Sequence, residues 1–95
     1  MTAHFNPADL TERDVARVLY DARERVFGLG LNDVVHALGH GAPGRAVVYS
    51  VLQMFVSLGL VNSTSTYPRY MHPPEPVYWL TAEGVAAWEI VRHEV

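Results

Sequence analysis

The sequence predicts a mainly α-helical fold with one small β-hairpin, laid out as three helices, two strands and a C-terminal helix. Three observations carry this. Apolar residues recur at helical spacing in separate stretches, a stretch rich in β-branched and aromatic residues is split by prolines, and capping residues or glycines punctuate the boundaries. At 95 residues and 49% hydrophobic content, the chain is long enough to bury one core and too short for two. Residues 1–95 are therefore expected to form one domain, whose stability can draw on a partner subunit.

In "LTERDVARVLYDARERVFG", Thr11 and Asp14 stand at capping-box spacing, with Asp replacing the usual Glu or Gln. Val15, Val18, Leu19, Ala22 and Val26 follow at helical spacing, so the first helix is expected over about Glu12–Val26, stopping near Gly28. Asp9 with Arg13, and Asp21 with Arg25, are acid-before-base pairs four apart. Such pairs contribute about 0.2–0.5 kcal/mol each in an exposed helix, and their arginines read as a solvated face.

After the linker "GLGL", Asn32 is a good N-cap for a helix of two turns, with Val34, Val35 and Leu38 apolar and Gly39 or Gly41 as its left-handed stop. The third helix starts at Pro43 or Gly44, aligns Val48, Leu52 and Phe55 on one face, and ends at Leu58 with Gly59 as its cap. The tight connection between the second and third helices is what a helix-turn-helix requires.

From Leu60 the pattern changes. "LVNSTSTY" and "VYWL" are strand-like, and the breaker-filled "PRYMHPPEP" between them gives a hairpin with a long, proline-stiffened tip over residues 60–80. Thr81 and Gly84 then open a helix over 82–95, with Val85, Trp88, Val91 and Val95 as its apolar stripe. This order of elements is that of a winged helix-turn-helix.

The net charge of -3 argues against binding nucleic acid by bulk electrostatics. Its distribution is uneven: residues 1–41 carry four Arg against six acids, 42–80 two Arg against one, and 81–95 one Arg against three. The middle is weakly positive and both ends are acidic. The absence of cysteine excludes disulfides, thiolate metal sites and cysteine nucleophiles. The first twenty residues lack the pattern of a signal peptide, and no apolar run reaches membrane-spanning length, so a soluble cytoplasmic protein with no membrane partner is expected.

Locally, "VVYSVLQMFVSLGLV" resembles the recognition helix and exit turn of PadR-like transcriptional regulators, with Val48, Tyr49, Leu52, Phe55, Gly59, Leu60 and Val61 in the matching places. "VYWLTAEGVAAW" resembles that family's second wing strand and following helix through Tyr78, Leu80, Thr81, Gly84 and Trp88. The resemblance covers about residues 10–95. It departs at Val47, where the family has Ser or Thr, and at Gln53, Met54, Val56 and Ser57, where the outer face is usually charged. The wing tip offers Arg69 and His72 in place of a basic cluster.

The resemblance implies a homodimeric, DNA-binding transcriptional repressor with helix 44–58 in the major groove of double-stranded DNA and wing 60–80 beside it. By position, Gly44, Arg45, Ala46, Tyr49, Ser50 and Gln53 face the DNA. Arg45 can chelate a guanine edge or pair with a phosphate, Gln53 can bridge an adenine, and Ala46 or Val47 can pack on a thymine methyl. The bland alternative puts Tyr49 in the core and Arg45 in a solvent salt bridge. Arg69, beside Tyr67 and Tyr70, suits a narrow minor groove, or else stacks on a tyrosine in an exposed loop. The helix after the wing is the implied dimer contact, through Val85, Trp88 and Val91, with plain core as the alternative for Trp88.

His36 and His40 have the i, i+4 spacing of a zinc pair, but the flanking glycines end the helix and no third ligand is near, so neither a metal nor another cofactor is expected. No nucleophile–base–acid set or paired carboxylates suggest an enzyme. Two other readings stay open. One is a protein-binding winged helix that uses exposed Met54 and Val56 with the rigid wing; the other is a ligand sensor with a pocket between the first helix and the dimer helix, near Phe27 and Trp88.

Overall fold

In the computed structural model, which describes residues 5–6, 9–24, 28–39, 44–65 and 76–92, the first helix opens at Asp9 and not at Thr11. The Asp9 carboxylate accepts the backbone N–H groups of Thr11 and Glu12 at 3.0 and 3.2 Å, so α1 spans Leu10–Asp21. That corrects the Thr11–Asp14 cap and the expected end at Val26. With Asp9 on the helix amides, the expected Asp9–Arg13 pair gives way to an exposed Asp14–Arg17 contact at 3.8 Å. Arg25, Val26 and Phe27 lie outside the described residues.

The "GLGL" linker contains a strand, β1, at Leu29–Gly30. Its extended backbone runs directly into α2, Leu31–Leu38, so Gly30 is the N-cap and Asn32 sits inside the helix, contrary to the expected Asn32 cap. Asp33 closes this turn by accepting the Gly30 N–H at 3.1 Å. Gly39 ends α2 with a φ of 81°. Helix α3 spans Arg45–Ser57 and buries Val48, Leu52 and Phe55, as their spacing predicts. Gly59, at a φ of 78°, makes the turn into β2 over Val61–Ser65, a conformation in which a side chain is strained.

Strand β3, Pro76–Leu80, pairs with β2 as the expected hairpin and with β1 on its other side, giving an antiparallel sheet in the order β1-β3-β2. Tyr78 sits at its middle, in register with Leu29 on one side and Ser63 on the other, and is fully buried. The core also takes in Phe5, whose ring meets Phe55 edge-on at 4.8 Å and Trp88 at 6.3 Å.

Helix α4, Ala82–Val91, is tied to the start of the wing by Thr81. The Thr81 hydroxyl donates to the Gly59 carbonyl at 2.7 Å and accepts the Gly84 N–H at 3.0 Å, while the Thr81 N–H donates to the Leu60 carbonyl at 3.0 Å. Gly84 is obligatory in this knot: a Cβ there would lie 2.0 Å from the Leu60 carbonyl oxygen. At the far end, Tyr20 of α1 donates to Glu89 at 3.1 Å and accepts from Arg92 at 3.3 Å, with the Arg23 guanidinium 3.9 Å over its ring. No helix among the described residues is long and apolar enough to cross a membrane.

Candidate nucleic-acid interface

Helix α3 sorts its residues into an inner and an outer side because 3.6 residues make a turn. Val48, Leu52 and Phe55 point inward and are wholly buried, which leaves Ala46, Ser50, Gln53 and Ser57 exposed along the opposite ridge. The ridge is flanked by exposed Arg45 and Tyr49 on one side and by Val47 and Met54 on the other. Gly44, the N-cap, is exposed as well.

Six of the seven residues singled out for DNA contact thus share one accessible surface; Arg69 lies outside the described residues, as do His40, Tyr67, Tyr70 and His72. Tyr49 is 45% exposed, so its alternative place in the core is not the one it takes. Arg45 is held by a neutral partner, the Oδ1 of Asn32, to which its Nη1 donates. Ser50 returns its hydroxyl to the Ala46 carbonyl at 3.0 Å. Gln53 donates through Nε2 to the Tyr78 hydroxyl at 3.4 Å. Burial pushes the Tyr78 phenol above its ordinary value, the Gln53 hydrogen bond offsets part of this, and nearby Tyr49 adds a little.

Of the apolar residues expected to be exposed on α3, Met54 is, while Val56 is half-buried against the core. Sequence reasoning missed the large exposed Leu58 at the end of the same helix. It also missed Asn32 and Tyr78 as partners of Arg45 and Gln53. The signal for Asn32 was its place in the first turn of a helix that packs beside α3, and for Tyr78 a polar-tipped residue at an inward strand position.

On α4, Trp88 and Val91 are buried within the subunit, Val85 is half-buried, and the outward large apolar residue is Ile90, 66% exposed. An open groove beside α1 lies against α2, lined by Arg17, Val18, Asp21, Asp33 and His36, while Phe27 lies outside the described residues. Trp88 is therefore part of the core and not of that groove.

The fold is similar to that of a PadR family transcription regulator from hypervirulent Clostridium difficile R20291, known from a crystal structure. The TM-score is 0.68 with 18% sequence identity, over 86% of this chain and 84% of that one. No protein-family model matches the sequence, and no curated protein does. The chain has a PadR-like winged-helix fold, with four helices and a small three-stranded antiparallel sheet among the described residues.

Proposed function

We propose that the protein is a sequence-specific, double-stranded-DNA-binding transcriptional regulator that acts as a homodimeric repressor, with α3 in the major groove and the wing of residues 60–80 beside it. The observation that carries this is the outer side of α3: Gly44, Arg45, Ala46, Tyr49, Ser50 and Gln53 are exposed together on a helix anchored by three wholly buried residues. Arg45 and Gln53 supply the guanine- and adenine-type contacts, and Ala46 and Val47 the surface for a thymine methyl.

The electrostatics make dimerisation part of the function. Arg45 and Arg69 are the two arginines of the weakly positive middle, and each that meets a phosphate adds roughly one unit of salt slope. One subunit would bind weakly, whereas two subunits on two half-sites bind tightly enough to regulate. A contact between subunits through α4 uses Val85 and the outward Ile90, with Trp88 and Val91 shaping it from beneath.

The test is fluorescence anisotropy of wild type and Arg45→Ala on DNA enriched by rounds of selection, over a salt series, with molar mass measured in parallel. A palindromic site, a dimer's mass and loss of binding in the variant are expected. A promoter carrying that site should fall silent when the protein is expressed.

A second reading, a protein-binding module, is favoured by the exposed apolar flank of Val47, Met54 and Leu58. It takes over if selection enriches no DNA and any residual binding vanishes at physiological salt.

A further inference from the structure

Two side-chain hydrogen bonds cross from other elements to the outer side of α3. Asn32, in the first turn of α2, accepts from the Arg45 guanidinium, and Tyr78, in the middle strand of the sheet, accepts from the Gln53 amide at 3.4 Å. Both anchors have a fixed origin: Asn32 belongs to the helix that packs on α3, and Tyr78 is fully buried between its register partners Leu29 and Ser63.

The chemistry left over after each bond is specific. A guanidinium is a planar fork of five N–H groups, so one bond to Asn32 orients the plane and leaves donors for the N7 and O6 of a guanine. A primary amide that gives one N–H to Tyr78 keeps its second N–H and its carbonyl oxygen. That pair matches the N7 acceptor and N6 donor of adenine, whereas guanine and thymine edges offer acceptors alone. Ordering these long side chains before contact lowers the entropy lost on binding the right base.

Building on the DNA-binding reading above, we infer that Asn32 and Tyr78 are positioning residues that preset Arg45 for a guanine and Gln53 for an adenine in the same half-site. Neither anchor carries a charge toward the DNA. Their loss therefore loosens base discrimination and leaves the salt slope of binding unchanged.

The experiment compares wild type with Asn32→Ala, Asn32→Asp and Tyr78→Phe on the selected site and on its single-base variants, by anisotropy over a salt series. Arg45→Ala and Gln53→Ala identify the base pair that each side chain reads. At the Arg45 position, Asn32→Ala is expected to lower discrimination about tenfold, within the span of one bidentate contact. Asn32→Asp should restore it, because a carboxylate oxygen accepts the same N–H, while affinity for every sequence falls with the added negative charge. Tyr78→Phe should lower discrimination at the adenine position alone.

Asn32 is exposed, so its variants keep the fold, and thermal midpoints check this for Tyr78→Phe. Asn32→Ala and Tyr78→Phe proteins that each keep the wild-type discrimination, or that lose affinity evenly for all sequences, overturn the inference while leaving the DNA-binding reading intact. A wild type that enriches no site overturns both.

Discussion

Helices α3 and α4 flank the wing in the sequence and use their apolar residues in opposite ways. In α4 the large apolar residues are mostly consumed by the core: Trp88 and Val91 are buried, Val85 is half-buried, and Ile90 alone stands well out. In α3, Val48, Leu52 and Phe55 do the anchoring, while Val47, Tyr49 and Met54 are each more than a third exposed. Apolar content therefore says little about role. The same residue types hold the domain together on one helix and stand exposed to solvent on the other, and the two placements answer to different measurements.

The largest expected effect lies on α4. Trp88→Ala should lower unfolding free energy by about 3–5 kcal/mol in denaturant titrations, since Phe5 and Tyr20 lose their packing partner. A loss below about 1 kcal/mol would break the contrast between the helices. Gly84→Ala comes next, at about 1–3 kcal/mol, because the new methyl meets the Leu60 carbonyl, which the Thr81 N–H holds directly and the Thr81 hydroxyl steadies through the adjacent Gly59 carbonyl. Thr81→Ala should cost about 1 kcal/mol as a lost cap, read from the same titrations.

Substitutions on the outer surfaces should leave the subunit's stability within about 0.5 kcal/mol. Tyr49→Ala is expected to weaken DNA binding without moving the thermal midpoint. Ile90→Ser should shift molar mass toward the monomer in sedimentation if α4 pairs subunits, and an unchanged mass would move the pairing elsewhere.

The smallest effect is pH-dependent. Burial raises the Glu12 carboxyl above its ordinary value of 4.5, and the charge and hydrogen bond of Asp9 raise it further. The folded chain then holds this proton more tightly than the unfolded one. The stabilisation is complete below the unfolded value near 4.5 and is lost as pH rises through the higher folded value. Glu12→Gln should flatten this trend, gaining about 0.2–0.5 kcal/mol at neutral pH, the size of a like-charge pair on a helix. Stability measured at intervals between pH 4 and 7 checks it.

Much of this architecture was legible in the sequence where a local rule acts alone. Val48, Leu52 and Phe55 mark the inner face of α3 by spacing, Gly59 marks its end, and Thr81 with Gly84 marks the start of α4. What was not legible depends on partners distant in the chain. Leu29–Gly30 is too short to show a strand period and becomes β1 only because β3 lies beside it. Once Gly30 is extended in that sheet, α2 begins at Leu31, so Asn32 leaves the capping role and its side chain reaches Arg45. Likewise, an apolar stripe on α4 gives its period but not whether a second subunit or this subunit's own Phe5 and Tyr20 covers it. Of the candidate interface, residue positions on α3 could be read from periodicity, but the anchors behind them could not.

The strand order has a kinetic consequence. β1 immediately precedes α2, and β3 follows the wing, so the stretch holding α2, α3 and β2 is a loop whose two ends are zipped together by the pairs Leu29–Tyr78 and Gly30–Val77. A ladder this short opens more readily than the five-pair ladder joining β2 to β3. Amide exchange should therefore reach Leu29 well before Asn62 and Thr64, whose pairs with Trp79 and Val77 are the hydrogen-bonded ones of the longer ladder. The first excursion from the native state is then a parting of the helix-turn-helix from the wing, with the helical core still intact.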